Sequence, residues 1–196
     1  YDCAYSEIAK ADWWDARRSG GPVVEQATHF LDLARWLCGE VDLASVQAAR
    51  IAYDQPAGRL ADLPASADGR AVDAGVPPAS RVPRATLAQW RFASGALGAL
   101  AHGVLLHGRK YEAAIEVWGD GLRCVLEDPY GRCRLGVRRS GSEETVWESF
   151  DDDPYLAEDR AFIEAVRARS AGPIRSTYDD ALQTYRLSWR IAHAEY

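Results

Sequence analysis

The feature that most restricts the fold is a series of short alternating segments between residues 83 and 150, each closed by tight-turn residues. Over 84–93, Thr86, Ala88, Trp90 and Phe92 share one face, because side chains two apart in an extended chain point the same way. Ser94-Gly95 turns the chain, and 96–106 returns. A strand over 111–118 runs into Gly119-Asp120-Gly121, a strong hairpin signal. Strands over Leu122–Glu127, 133–138 and 145–150 follow, separated by Pro129-Tyr130-Gly131 and Ser140-Gly141-Ser142. Short strands joined by tight turns pair antiparallel. A further strand is read over 44–54. The stretch 55–82, rich in Pro, Ala, Gly and Asp, reads as a long surface loop or insertion, partly mobile.

Two helices close the chain. One, over 156–169, follows Asp152 and Asp153, acids that suit a helix N-terminus, and carries Ala161, Phe162, Ala165 and Val166 at helical spacing. The other, Tyr178–His193, carries Ala181, Leu182, Tyr185, Trp189 and Ala192. The fold class expected is α+β: a mostly antiparallel, open-faced sheet with helices packed on one face. Trp90, Phe92 and Trp118 stand on strands that helices can cover on one side only, so the other sheet face is expected to meet a second subunit. Trp13 and Trp14 read as a core or interface anchor.

A third helix, over 22–38, carries the chemistry. Pro22 suits its first turn and Gly39 its end. Place Glu25 at zero and advance about 100° per residue. Val23, Val24, Ala27, Phe30, Leu31, Ala34, Leu37 and Cys38 then fall between roughly 120° and 260°. Glu25, His29 and Asp32 fall at roughly 0°, 40° and −20° on the opposite side. A solvated face often carries such residues. The Gly20-Gly21 approach adds weight to a site, since small residues allow close contact and a helix N-terminus favours anions. Imidazole is suited to moving a proton near neutral pH, and a carboxylate four residues away can orient it.

Composition narrows the functions. The chain has 196 residues and a net charge of −6. It reads as one domain, 1–196, long enough to bury about 70% of its unfolded surface. An acidic balance without a basic patch speaks against nucleic acid, and no apolar run is long enough to span a membrane. Cys3, Cys38, Cys124 and Cys133 lack C-x-x-C spacing and read as reduced thiols of a cytoplasmic protein. Asp151-Asp152-Asp153 lacks the Gly and Glu of a calcium loop and reads as a helix cap. His102 reads as a sheet residue, and Lys10 and His193 as solvated.

The order Gly20-Gly21, Glu25, His29, Asp32, Arg35-Trp36-Leu37, Gly39 resembles the helix that opens the C-terminal domain in the glucose–fructose oxidoreductase, inositol dehydrogenase and MocA family. The acid there is usually Asp; here it is Glu25. The resemblance implies hydride transfer between a sugar, polyol or diol-like substrate and NAD or NADP. It assigns His29 the acid/base role and Glu25 its support. It makes Asp32 and Gln26 substrate contacts, with Arg109, Lys110 and Tyr111 candidates from a turn that reaches toward the substrate; strand-end polarity accounts for these three equally well. No G-x-G-x-x-G follows a strand, and Tyr1 begins a sequence without Met. The Rossmann half that holds the cofactor is therefore expected upstream. The resemblance also implies a homo-oligomer formed through the sheet. The alternative expectation is a non-enzymatic ligand-binding or dimerisation module of the same fold.

Overall fold

The computed structural model describes residues 2–3, 10–51, 54–55, 58–59, 72–105 and 111–194. In chain order the strands are β1 (Asp2–Cys3), β2 (Val41–Ile51), β3 (Asp54–Gln55), β4 (Gly58–Arg59), β5 (Ala85–Phe92), β6 (Leu97–Gly103), β7 (Tyr111–Glu112), β8 (Ala114–Gly119), β9 (Leu122–Glu127), β10 (Arg134–Arg139) and β11 (Val146–Ser149). The α-helices are α1 (Thr28–Cys38), α2 (Pro154–Ala168) and α3 (Tyr178–His193). The expected α+β class holds. By its contacts the chain divides into two compact units, Tyr1–Glu112 with Gln183–Tyr196, and Ala113–Leu182.

The first unit holds a sheet of order β2-β5-β6-β1-β7, antiparallel except where β1 lies parallel to β6. β5 pairs with β2 from Val41↔Phe92 to Ile51↔Ala85 and with β6 from Ala85↔Gly103 to Arg91↔Leu97. The β2 ladder is interrupted between Asp42 and Gln47. Ser45 repairs it: its hydroxyl donates to Asp42 O and accepts from the Arg91 amide, at 2.6 and 2.8 Å. Gly95, at φ +90, closes the β5–β6 turn.

Period-two alternation decides which sheet face is covered. Thr86, Ala88, Trp90 and Phe92 are buried, as the pattern predicts. Ala88, Trp90 and Phe92 join Val23, Ala27, Leu31, Val46, Ala48, Leu100, Leu187, Ile191 and Ala194 in one core between the sheet, α1 and α3. Trp90 and Phe92 thus lie under the helices and do not mark the free face. That face carries Leu87 and Leu97, 63% and 72% exposed. Arg50 closes the far end of α3, donating to the carbonyls of Ile191, Ala192 and Ala194 at 3.0, 2.8 and 2.5 Å.

A smaller core forms from Trp14, Val72, Val76, Val82 and Val104, with Trp13 packed edge-on at 4.8 Å. Residues 72–82, expected as loop, therefore contribute three buried valines; their apolar spacing follows neither helix nor strand period. In the second unit β8 to β11 form an antiparallel meander in the order β11-β10-β9-β8. The segment expected as one strand over 111–118 splits at Ala113 between β7 and β8. Asp153 caps α2 by accepting from the Leu156 amide at 3.0 Å. No residue of α2 is buried, contrary to the covered face its apolar spacing predicts. Cys38, Cys124 and Cys133 are free thiols.

Candidate active site

The site grows from the first turns of the helix after Gly20-Gly21. Its approach is fixed by a knot of hydrogen bonds around Asp15. The buried Asp15 carboxylate takes the Arg17 amide and guanidinium in four-atom reach, at 2.9, 2.8 and 2.6 Å. That arginine holds the carboxyl down at about 2. The Asp15 carbonyl then receives the amides of Arg18 and Ser19. Ser19 Oγ donates to Trp13 O and accepts from the Gly21 amide, at 2.8 and 3.2 Å.

The two glycines serve packing and backbone direction. A Cβ at Gly20 would lie 2.6 Å from Val24 Cγ1, and Gly21 sits at φ +77. The space above Gly20 is filled by the protein's own valine, so this turn is not a phosphate cradle. A shallow cavity of about 140 Å³ lies nearby, bounded by Gly21, Pro22, Arg50, Thr86 and His193. Glu25, His29 and Asp32 do not line it.

Val23–Ala27 winds as a π-helix before α1 begins at Thr28. Such wide turns are rare and frequently mark functional positions. Uniform 3.6-residue periodicity cannot reveal one. Glu25 and His29 are exposed, as expected from the side opposite the core. Glu25 Oε1 lies 3.4 Å from the Gly20 amide. Asp32 is half-buried, and its Oδ1 accepts from Thr184 Oγ1 at 2.7 Å. All four helix residues singled out thus stand on the same helix run, with His29 and Glu25 exposed and Asp32 anchored.

Gln26 turns toward the sheet. Its Oε1 lies 3.2 Å from Nε2 of the buried His102 on β6. Burial drives the His102 imidazole down to about 3, so the ring is neutral. Tyr111 is half-buried on β7, opposite Cys3 of β1. Arg109 and Lys110 lie outside the described residues.

Sequence reasoning missed the residue that fixes Asp32. Arg35 is almost wholly buried, with 3% of its side chain exposed. Its Nη1 donates to Thr184 Oγ1 at 2.7 Å, and the same hydroxyl donates onward to Asp32. Nη2 and Nε grip Glu40 at 2.6 and 3.3 Å. An arginine at roughly 280° on the helix wheel, bordering the apolar stripe, was the available signal, since charged residues are almost never fully buried unless paired. Leu37 and Trp36, by contrast, are exposed at the end of the helix. Among the described residues no cluster of metal-ligand side chains occurs, and no helix is long and apolar enough to cross a membrane.

Residues 1–122 match the family described as "Putative oxidoreductase C terminal domain", and the chain belongs to that family. Uncharacterized protein UNK4.17 of Schizosaccharomyces pombe is 38% identical over 197 residues, a match spanning 100% of this chain and 47% of the relative. The chain therefore spans about half the length of the curated relatives it matches. Levoglucosan dehydrogenase, solved with NADH and levoglucosan, shares the fold at TM-score 0.68 and 19% identity, over 97% of this chain and 53% of that one. The WlbA dehydrogenase from Bordetella pertussis, solved with NADH and UDP-GlcNAcA, shares it at TM-score 0.51 and 20% identity, over 85% of this chain and 40% of that one.

Proposed function

We propose that this chain is the substrate and assembly domain of an NAD(P)-dependent oxidoreductase that acts on a sugar, polyol or diol-like compound by hydride transfer. The observation that carries the proposal is the exposed His29, with Glu25 on the turn before it and Asp32 held one turn beyond. Membership of the oxidoreductase family supports it, as do two structural neighbours solved with NADH and with levoglucosan or UDP-GlcNAcA.

The closed Gly20-Gly21 turn offers the cofactor no phosphate cradle, so NAD or NADP would be held mainly by protein outside these 196 residues. When bound, its nicotinamide supplies the hydride acceptor. His29 takes the proton of the reacting hydroxyl, Glu25 supports the charge that develops on the ring, and Asp32 receives a substrate hydroxyl. Arg109, Lys110 and Tyr111 are the further candidate substrate contacts. Because His29 and Glu25 face solvent, water must be excluded by another part of the full-length protein.

The open sheet face, with Leu87 and Leu97, favours a homo-oligomer. The same face supports a second reading, a non-enzymatic module that uses this fold for assembly. The full-length protein should reduce NAD⁺ or NADP⁺, followed by nicotinamide absorbance, with at least one member of a panel of sugars and polyols. Binding of a sugar without reduction of either nucleotide would favour the second reading.

A further inference from the structure

Gln26 and His102 form a strut that the proposed chemistry does not use directly. His102 stands on β6 opposite Thr86 of β5, on the helix-covered sheet face, and is 3% exposed. An amide oxygen only accepts, so the 3.2 Å contact to Gln26 Oε1 requires a proton on His102 Nε2. Burial keeps the ring neutral, so it cannot act as a cationic ligand group. Gln26 lies within the π-helical turn, between Glu25 and the start of α1. That turn has no side-chain cap at Pro22, and α1 has none at Ala27. The turn meets the sheet and core through Gln26 and the buried Val23 and Ala27. A π turn winds wider than an α turn, so relaxation to α geometry would rotate Glu25 and Gln26 relative to His29.

We propose that His102 is a positioning residue, which through Gln26 holds the π turn in the winding that presents Glu25 and His29 together. The proposal rests on the reading of His29 as the proton-handling residue. It changes the role of Gln26 from a substrate contact to a strut. In this role His102 acts through the turn.

The test uses the full-length protein labelled with ¹⁵N-histidine, with ring spectra followed by pH titration and amide exchange read across the fold. In the parent protein the His102 ring should stay in the neutral Nε2–H form from neutral pH down to at least about pH 5. His102→Leu should speed amide exchange over Val23–Ala27 roughly tenfold, the loss of about one hydrogen bond. It should also shift the His29 ring resonances. His102→Gln, which retains a donor, should restore both. Gln26→Met breaks the same bond from the helix side and should reproduce the local effect even if His102→Leu fails to fold. A His102 ring that titrates near its ordinary value, or carries its proton on Nδ1, overturns the proposal. So does faster exchange spread evenly over the sheet core, or His29 ring resonances left unmoved in both bond-breaking variants. If these readouts behave as expected but His29→Ala leaves turnover intact, the strut stands and the catalytic reading of His29 fails.

Discussion

Replacing Arg35 and Glu40 separately should give unequal losses, because their ion pair is buried at one end only. Arg35 is 3% exposed and Glu40 64%. Arg35→Met keeps the length of the stem and removes the guanidinium from the interior. Glu40 is then returned to water at little cost, and Thr184 still donates to Asp32. Swapping a buried ion for an apolar side chain of similar size is often near neutral, so the expected change is within about 1 kcal/mol. Glu40→Ala leaves the guanidinium buried without its bidentate carboxylate. Thr184 at 2.7 Å and Asp32 at 3.8 Å remain. These two keep the penalty near or just below the usual range for an orphaned buried charge, on the order of 2–3 kcal/mol. In a cooperative unit of this size each kcal/mol lowers the melting midpoint by roughly 2–4 °C. Glu40→Ala should therefore melt roughly 4–12 °C lower, and Arg35→Met no more than about 4 °C lower. The assay is thermal unfolding followed by tryptophan fluorescence. An Arg35→Met protein less stable than Glu40→Ala would refute this account of the pair.

Gly98→Ala should destabilise by about 1–3 kcal/mol, because the new Cβ would lie 2.7 Å from Trp90 Cζ2 and closer still to Cε2 and Nε1, with Phe92 packed beside the indole; urea unfolding measures it. Asp15, held at about 2 against an unfolded value near 3.8, contributes stability that is present above about pH 4 and lost as pH falls toward 2, so Asp15→Asn should flatten the pH dependence of unfolding in that window. Leu87→Glu with Leu97→Glu should shift sedimentation of the full-length protein at micromolar concentration toward monomer; a parent protein already monomeric there would remove the sheet face as an assembly surface.

The sequence disclosed the fold wherever one period ran unbroken. Thr86 to Phe92 alternate and are buried alternately, α3 ends where its apolar spacing ends, and Gly39 and Gly95 take the left-handed backbone their turn positions imply. Legibility failed where the period changes. Residues 23–27 look α-helical because side-chain pattern alone cannot separate a π turn from an α turn. The 111–118 segment looks like one strand because the break at Ala113 leaves its residue types unaltered. Val72, Val76 and Val82 pack on Trp14 from irregular backbone, where no periodicity exists to detect. At the candidate site, Glu25 and His29 were legible from helix geometry. The Arg35–Thr184–Asp32 chain was not, since Thr184 lies 149 positions from Arg35 and only the folded chain brings them together.

The most direct measurement is the turnover of His29→Ala in the full-length protein beside its melting curve. His29 is exposed and opposite the core, so the substitution should change stability by no more than about 0.5 kcal/mol. Loss of the group that takes the hydroxyl proton should lower the rate by about 10²–10⁴, with Glu25→Gln losing less. An unchanged rate at an unchanged melting temperature would contradict the assignment and place the proton transfer elsewhere.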